Sequence, residues 1–206
     1  MIIKINLTVD LTFKTILFFF TFLQKVNTFF LRIGRNFAWV AILLMVVVIM
    51  IQVFFRYVLN NALPWPDEVA RFFMLWMTGL IAPSAYRWGG FVSIDMFERF
   101  LPKILSNILI FLILLVSLTV LLIGFEMGLK HINAGWIFSS SSIKIPFSLV
   151  GGKTEAMKLA WMYMSLPVGI FLLILVNIEL ALRNILSFFN SKIDLPLDKD
   201  REKLEA

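Results

Sequence analysis

Cysteine is absent from the chain, which excludes disulfides, thiolate metal sites and cysteine nucleophiles and leaves the redox compartment unread. His131 is the only histidine, so no multi-histidine metal site can form within the chain. Charge is scarce as well: charged residues make up 16% of the 206 positions, against 60% apolar ones. No Gly-rich phosphate loop occurs, no Ser or Thr stands beside the histidine on a recognisable turn, and no carboxylate pair interrupts the middle of a long apolar run. Nothing in the sequence calls for a cofactor or a metal, and no catalytic set is formed. What is present in quantity is oil, including 22 phenylalanines. A soluble domain carries less apolar and more charged residue than this, so the surface is suited to a bilayer. The net charge of +6 then reads as basic flanks beside anionic lipid and does not point to nucleic acid.

Three runs are uncharged and long enough to cross a hydrocarbon core, for which a helix needs about 20 residues. They are Asn36–Phe55, between Arg35 and Arg56; Ile104–Phe125, between Lys103 and Glu126; and Leu159–Ile178, between Lys158 and Glu179. Unpaired backbone groups are not tolerated in lipid, so each run is expected to be helical. A fourth crossing, Phe72–Tyr86, is short unless its helix begins at Pro66. Proline suits the first helical position, and Asp67 and Glu68 would lie where the helix dipole favours negative charge. Arg71 follows them by four and three residues, a spacing at which all three can pair on one face. The fold expected is an all-α integral membrane protein with four transmembrane helices, spanning about 36–58, 66–87, 102–128 and 156–182 within a domain of residues 36–186. A charged tail, 187–206, follows it. Pro83 and Pro167 are expected to kink the second and fourth helices.

Residues 1–35 admit three readings. Leu11–Ile33 is Phe-rich but interrupted by Lys14, Gln24, Lys25, Asn27 and Arg32. A signal peptide would have Lys4 and the run Ile16–Leu23, but Gln24, Lys25 and Val26 offer no small-residue cleavage site. A fifth span is another reading. The one adopted is an N-terminal amphipathic helix lying in the cytoplasmic interface, basic side chains toward headgroups and Phe toward acyl chains. With four spans, most Lys and Arg fall in the N-terminal flank, the second loop and the tail. Both termini are therefore expected in the cytoplasm, and the low-complexity patch Ser139–Ser142 in an outer loop.

The densest polar cluster runs from Arg56 to Arg71, through Asn60, Asn61, Trp65, Asp67 and Glu68. It reads either as a helix cap with an aromatic anchor or as a docking or ion-handling element. Arg87, Gly89 and Gly90 begin a second cluster ending at Asp95, in which the glycines can stop the helix in a left-handed cap. Glu126 and Glu179 lie at helix ends, placed to reach the interface or to pair with a neighbouring cation. Gly124 and Gly128 form a small-xxx-small pair, and His131 reads as interfacial. The spans themselves hold almost no polar lining of the kind a solute pathway needs, and no internal repeat is visible.

The stretch Gln52–Asp95 resembles the small permease subunit of tripartite ATP-independent periplasmic (TRAP) transporters, the DctQ-like family. The residues that carry the resemblance are Arg56, Asn60 or Asn61, Trp65, Asp67-Glu68, Ala70, Trp76, Arg87, Gly89 and Ile94-Asp95. Trp161 to Gly169, with Leu166 and Pro167, is similar to that family's aromatic–Leu-Pro-x-Gly segment. Phe91 departs from the pattern, standing where the family often has His. The resemblance implies a bacterial inner-membrane subunit that binds a large multi-span permease, which holds the substrate and sodium sites. A periplasmic substrate-binding protein would deliver an organic anion of the dicarboxylate or sialic acid class. This chain would then be a scaffold, with Arg56, Asn60, Asn61, Trp65, Asp67, Glu68, Arg71, Trp76, Arg87, Asp95, Trp161, Pro167 and Gly169 serving its helix turn and its interface with the partner or with membrane phospholipids. The alternative is a small membrane enzyme or assembly factor using the Asp67–Glu68–Arg71 cluster directly.

Overall fold

The structure, a computed structural model, describes residues 2–89, 102–145 and 155–189. The sequence forms a first helix, α1, over Ile2–Tyr57 and a second, α2, over Pro66–Arg87. A third, α3, covers Lys103–Gly135; two strands follow, β1 (Ser139–Ile145) and β2 (Glu155–Lys158). A single turn, α4 (Ala160–Tyr163), leads into the last helix, α5 (Ser165–Phe189). Asp95, Gly90, Phe91 and the tail beyond residue 189 lie outside the described residues.

Helix α1 is one unbroken element of 56 residues, roughly 84 Å at the α-helical rise. The boundary expected between an interfacial arm and a first span, at Arg35–Asn36, is not a break. The reason lies in which face each residue takes. Phe20, Leu23, Asn27, Leu31, Gly34, Ala38 and Ala41 are buried, in steps of three and four that keep one stripe against the bundle. Lys25 and Arg32 are exposed and so leave that stripe intact. Phe20 and Leu31 are each only 1% exposed, so this part of the chain belongs to the bundle.

Helix α2 starts as expected, with Pro66 in its first turn beside Asp67 and Glu68. It runs unbroken through Pro83 and stops at Trp88 and Gly89, the latter at φ 79°, the left-handed region that glycine tolerates. The turn from α1 into α2 also uses a left-handed residue, Asn60 at φ 49°.

Two expectations are corrected. The fold is not purely helical, because β1 and β2 pair antiparallel, with Ile145 opposite Glu155 and Ser139 opposite Lys158, around an irregularity between Ser139 and Lys144. The Ser140 hydroxyl oxygen accepts the amides of Ser142 (3.2 Å) and Ile143 (2.8 Å), and this local bonding goes with the bulged strand. Nor does the last helix start near residue 156, since Glu155–Lys158 is a strand. The helical path is interrupted at Met164, one turn before Pro167, which has no N–H to return to the Tyr163 carbonyl. The third helix runs on to Gly135, so Lys130 and His131 sit in its last turns.

Helix α2 lies between α1 and α5, and α5 lies against α3; α1 also reaches α5. α1 is antiparallel to α2, since Gln52 meets Asp67 at one end and Thr28 meets Arg87 at the other. α2 and α5 run parallel, with Trp76 beside Trp161 and Arg87 beside Glu179. Among the described residues, three helical segments are long and apolar enough to cross a membrane: Thr15–Tyr57, Ile104–Gly135 and Ala160–Phe188. Large apolar side chains such as Phe19, Leu43, Leu112 and Ile123 point outward, as hydrocarbon solvent allows.

Candidate functional site

In lipid, apolar contact between helices is not driven by escape from water, so close backbone approach and interhelical polar bonds carry the specificity. The described structure has both, arranged at three levels along the bundle.

At the end where α2 stops, one polar knot joins three helices. Arg87 donates from Nε (3.0 Å) and Nη2 (2.7 Å) to Glu179 Oε1. Asn27 Nδ2 donates to Glu179 Oε2 at 2.6 Å and to the Leu175 carbonyl at 3.1 Å. Arg87 Nη1 donates to the Thr28 hydroxyl at 2.9 Å and Nη2 to the Gln24 carbonyl at 3.4 Å. The Arg87 and Glu179 side chains are each 4% exposed. A buried ion pair contributes little net stability against an apolar replacement, but removing one partner strands a charge at a cost of about 3–5 kcal/mol. Beside the knot, Asn177 Nδ2 donates to the Tyr86 hydroxyl at 2.7 Å. The Arg35 guanidinium sits 4.8 Å from the centre of the Trp88 ring, within cation–π range.

At the middle level, α2 and α5 touch backbone to backbone. A Cβ on Gly169 would lie 2.7 Å from the Gly79 oxygen, and one on Gly79 would lie 2.6 Å from the Ser165 oxygen. Only a residue without a side chain permits this crossing. Beside it is an apolar groove of about 480 Å³, open to the surface at Phe30, Phe37 and Phe171 and lined also by Leu80 and Phe125, with no polar side chain among its walls. A hydrated ion or a polar solute has no partner there.

At the far end, the two acidic residues that open α2 fasten different elements. Asp67 Oδ1 accepts a bond of 2.7 Å from Gln52 Nε2 on α1. Glu68 Oε2 accepts from the Ser140 hydroxyl and Oε1 from the Ser141 hydroxyl at 3.0 Å, which holds β1 against α2. Trp76 Nε1 donates to the Trp161 carbonyl at 3.1 Å, and Trp161 meets Trp136 edge-on at 6.2 Å. The His131 ring lies 4.3 Å from that of Tyr163, and Lys130 pairs with Glu126 at 2.7 Å on the exposed side of α3.

The structure therefore sorts the residues singled out from the sequence. Asp67, Glu68, Trp76, Arg87, Trp161 and Gly169 each make an interhelical or helix–hairpin contact. Pro167 packs its ring against Gly128 of α3, so that glycine does admit a close neighbour. Trp65 precedes α2 without capping it through a side-chain bond. Asn61 is exposed, and Arg56 lies over the Tyr57 ring at 5.8 Å. The expected pairing of Arg71 with Asp67 and Glu68 is not formed, because both carboxylates are turned toward Gln52 and the serines. Nothing in the local sequence marks Gln52, Asn27, Tyr86 and Asn177 as contact residues, whereas Glu179, expected to reach the interface or to pair with a cation, pairs with Arg87. Among the described residues, no group of three or more His, Asp or Glu side chains is placed to hold a metal ion.

Apolar membrane-spanning helices, tied to one another by their few polar groups, define a multi-pass membrane component. The sequence profile of the family described as "Tripartite ATP-independent periplasmic transporters, DctQ component" matches residues 45–187, well over half the chain. The chain belongs to that family, the small subunits of TRAP transporters. A search of individual curated proteins gave no match.

Proposed function

We propose that this chain is the scaffold subunit of a sodium-coupled TRAP transporter in a bacterial inner membrane. It crosses the membrane four times, α2 included, with both termini in the cytoplasm. It braces a large permease subunit that carries the transported solute, an organic anion of the dicarboxylate or sialic acid class delivered by a periplasmic binding protein. The observation that supports this reading is where the polar groups go. Arg87, Glu179, Asn27, Asn177, Asp67 and Glu68 are all engaged in fastening elements of the chain, while the groove beside the α2–α5 crossing is lined by apolar residues throughout. A conduit needs polar side chains or broken helices facing a wet midplane. At 22 residues, α2 is long enough to span, about 33 Å at the helical rise. Its central stretch Phe72–Tyr86 is uncharged.

Gentle detergent extraction followed by mass analysis of the intact assembly tests the reading. Retention of a large multi-span subunit is expected, as is solute uptake by vesicles holding both membrane subunits and the binding protein. Sodium-driven uptake by vesicles containing this chain alone overturns it.

A further inference from the structure

The exposed faces of α1 and α3 are lined by Phe, Leu, Ile and Val, as at Leu43 and Val47 or Leu112 and Val116. Helix α2 differs. Along its uncovered side run Arg71, Leu75, Thr78, Ala82 and Ala85, in steps of four and three that place them on one stripe. Arg71, Leu75, Thr78 and Ala85 are exposed and Ala82 partly so. Beneath Arg71, this stripe forms one wall of a shallow apolar groove of about 200 Å³, with Leu166 and Ile170 of α5 on the other side.

Arg71 makes no ion pair or hydrogen bond with any described residue, since the carboxylates nearest in sequence are taken by Gln52 and by Ser140 and Ser141. Small side chains below it permit a neighbouring helix to approach closely, and the unpaired guanidinium of Arg71, one turn before Leu75 of the groove, calls for an anion. An acyl chain would gain little from Thr78, Ala82 and Ala85, and a headgroup phosphate at Arg71 would leave that stripe of small side chains unfilled, whereas one helix carrying a carboxylate meets both.

We propose that the α2–α5 face headed by Arg71 is the docking surface for a helix of the large permease subunit, and that an Asp or Glu carboxylate on that helix pairs with Arg71. The inference rests on the scaffold reading and selects which side of the chain faces the partner and which side meets lipid. The cysteine-free, apolar faces of α1 and α3 remain for hydrocarbon.

The test uses the complete co-expressed transporter. A photo-reactive residue is placed singly at Thr78 or Ala82 on this face, and at Val116 or Val120 on α3, where both valines are exposed. Cross-links from 78 and 82 to the large subunit, and none from 116 and 120, are expected. In parallel, Arg71→Lys should retain the partner through detergent extraction, and Arg71→Glu should lower retention at least about tenfold. The cross-linking arm leaves Arg71 intact, so it stands even if Arg71→Glu folds poorly. Cross-links from positions 116 and 120 to the partner, or from 78 and 82 to phospholipid only, in a preparation where the large subunit is bound, overturn the inference and leave the scaffold reading in place. A wild-type preparation that never holds a large subunit overturns both.

Discussion

Glu179 is a carboxylate on an apolar helix, and its tolerance there depends on three donors from two other helices. Arg87 supplies two of the bonds and Asn27 the third. Replacing Glu179 by Leu strands the Arg87 guanidinium and should destabilise the folded chain by about 3–5 kcal/mol. Joint replacement, Arg87→Met with Glu179→Leu, removes both charges and should recover most of that loss. Thermal unfolding of the detergent-solubilised protein compares the two; equal damage by the single and double variants would show that the charges are not coupled. A sharper residue-scale contrast lies among the glycines. Gly169→Ala pushes a Cβ to 2.7 Å from a backbone oxygen and 2.9 Å from a Cα, neither of which can swing aside, and the forced separation of α2 from α5 should cost roughly 1–3 kcal/mol. Gly124→Ala meets only the Ile170 Cδ1 at 3.4 Å, the end of a flexible side chain, and should stay within about 0.5 kcal/mol of the parent. The same melting experiment reads both.

At the scale of elements, α1 shows why a hydropathy trace divides what a helix unites. Lys14, Lys25, Arg32 and Arg35 interrupt the N-terminal apolar run along the sequence, which suggested an arm ending where the uncharged run begins. Around the helix, Lys25 and Arg32 fall on the outer side, while Asn27 points inward to Glu179. No proline or left-handed residue stands near Arg35 to end the helix. Amide hydrogen exchange across Ile33–Ala38 should therefore be as slow as in the turns on either side, and a fast-exchanging window there would reveal a hinge. The start of α2 was legible because its signals are local: Pro66 with two acidic residues behind it. The hairpin was not, because four serines in a row carry weak strand preference, and β1 is held by Glu68, 72 residues away from Ser140 in the chain.

For the molecule as a whole, the family resemblance lay in residues whose structural work is now visible: Trp76 bonds to α4, Arg87 to α5, and Gly169 touches α2. The partners of these residues were harder to read, because pairings such as Arg87 with Glu179 join positions 92 residues apart and leave no mark in local periodicity. A scaffold differs from a conduit in what it needs its polar groups for. If Arg87 and Glu179 served ion movement, exchanging them for apolar residues of similar volume would abolish transport however well the complex assembled. If they only fasten α1, α2 and α5, the Arg87→Met, Glu179→Leu double variant should still support uptake in vesicles that also hold the large subunit and the binding protein, to within about a factor of three, since the apolar replacement preserves packing. Under the proposed sodium coupling, the sodium dependence of that uptake should be unchanged, because on the scaffold reading no group of this chain handles the cation. Initial rates at several sodium concentrations, normalised to the amount of assembled complex, separate the alternatives: lost uptake with intact assembly would place the buried pair in the transport path.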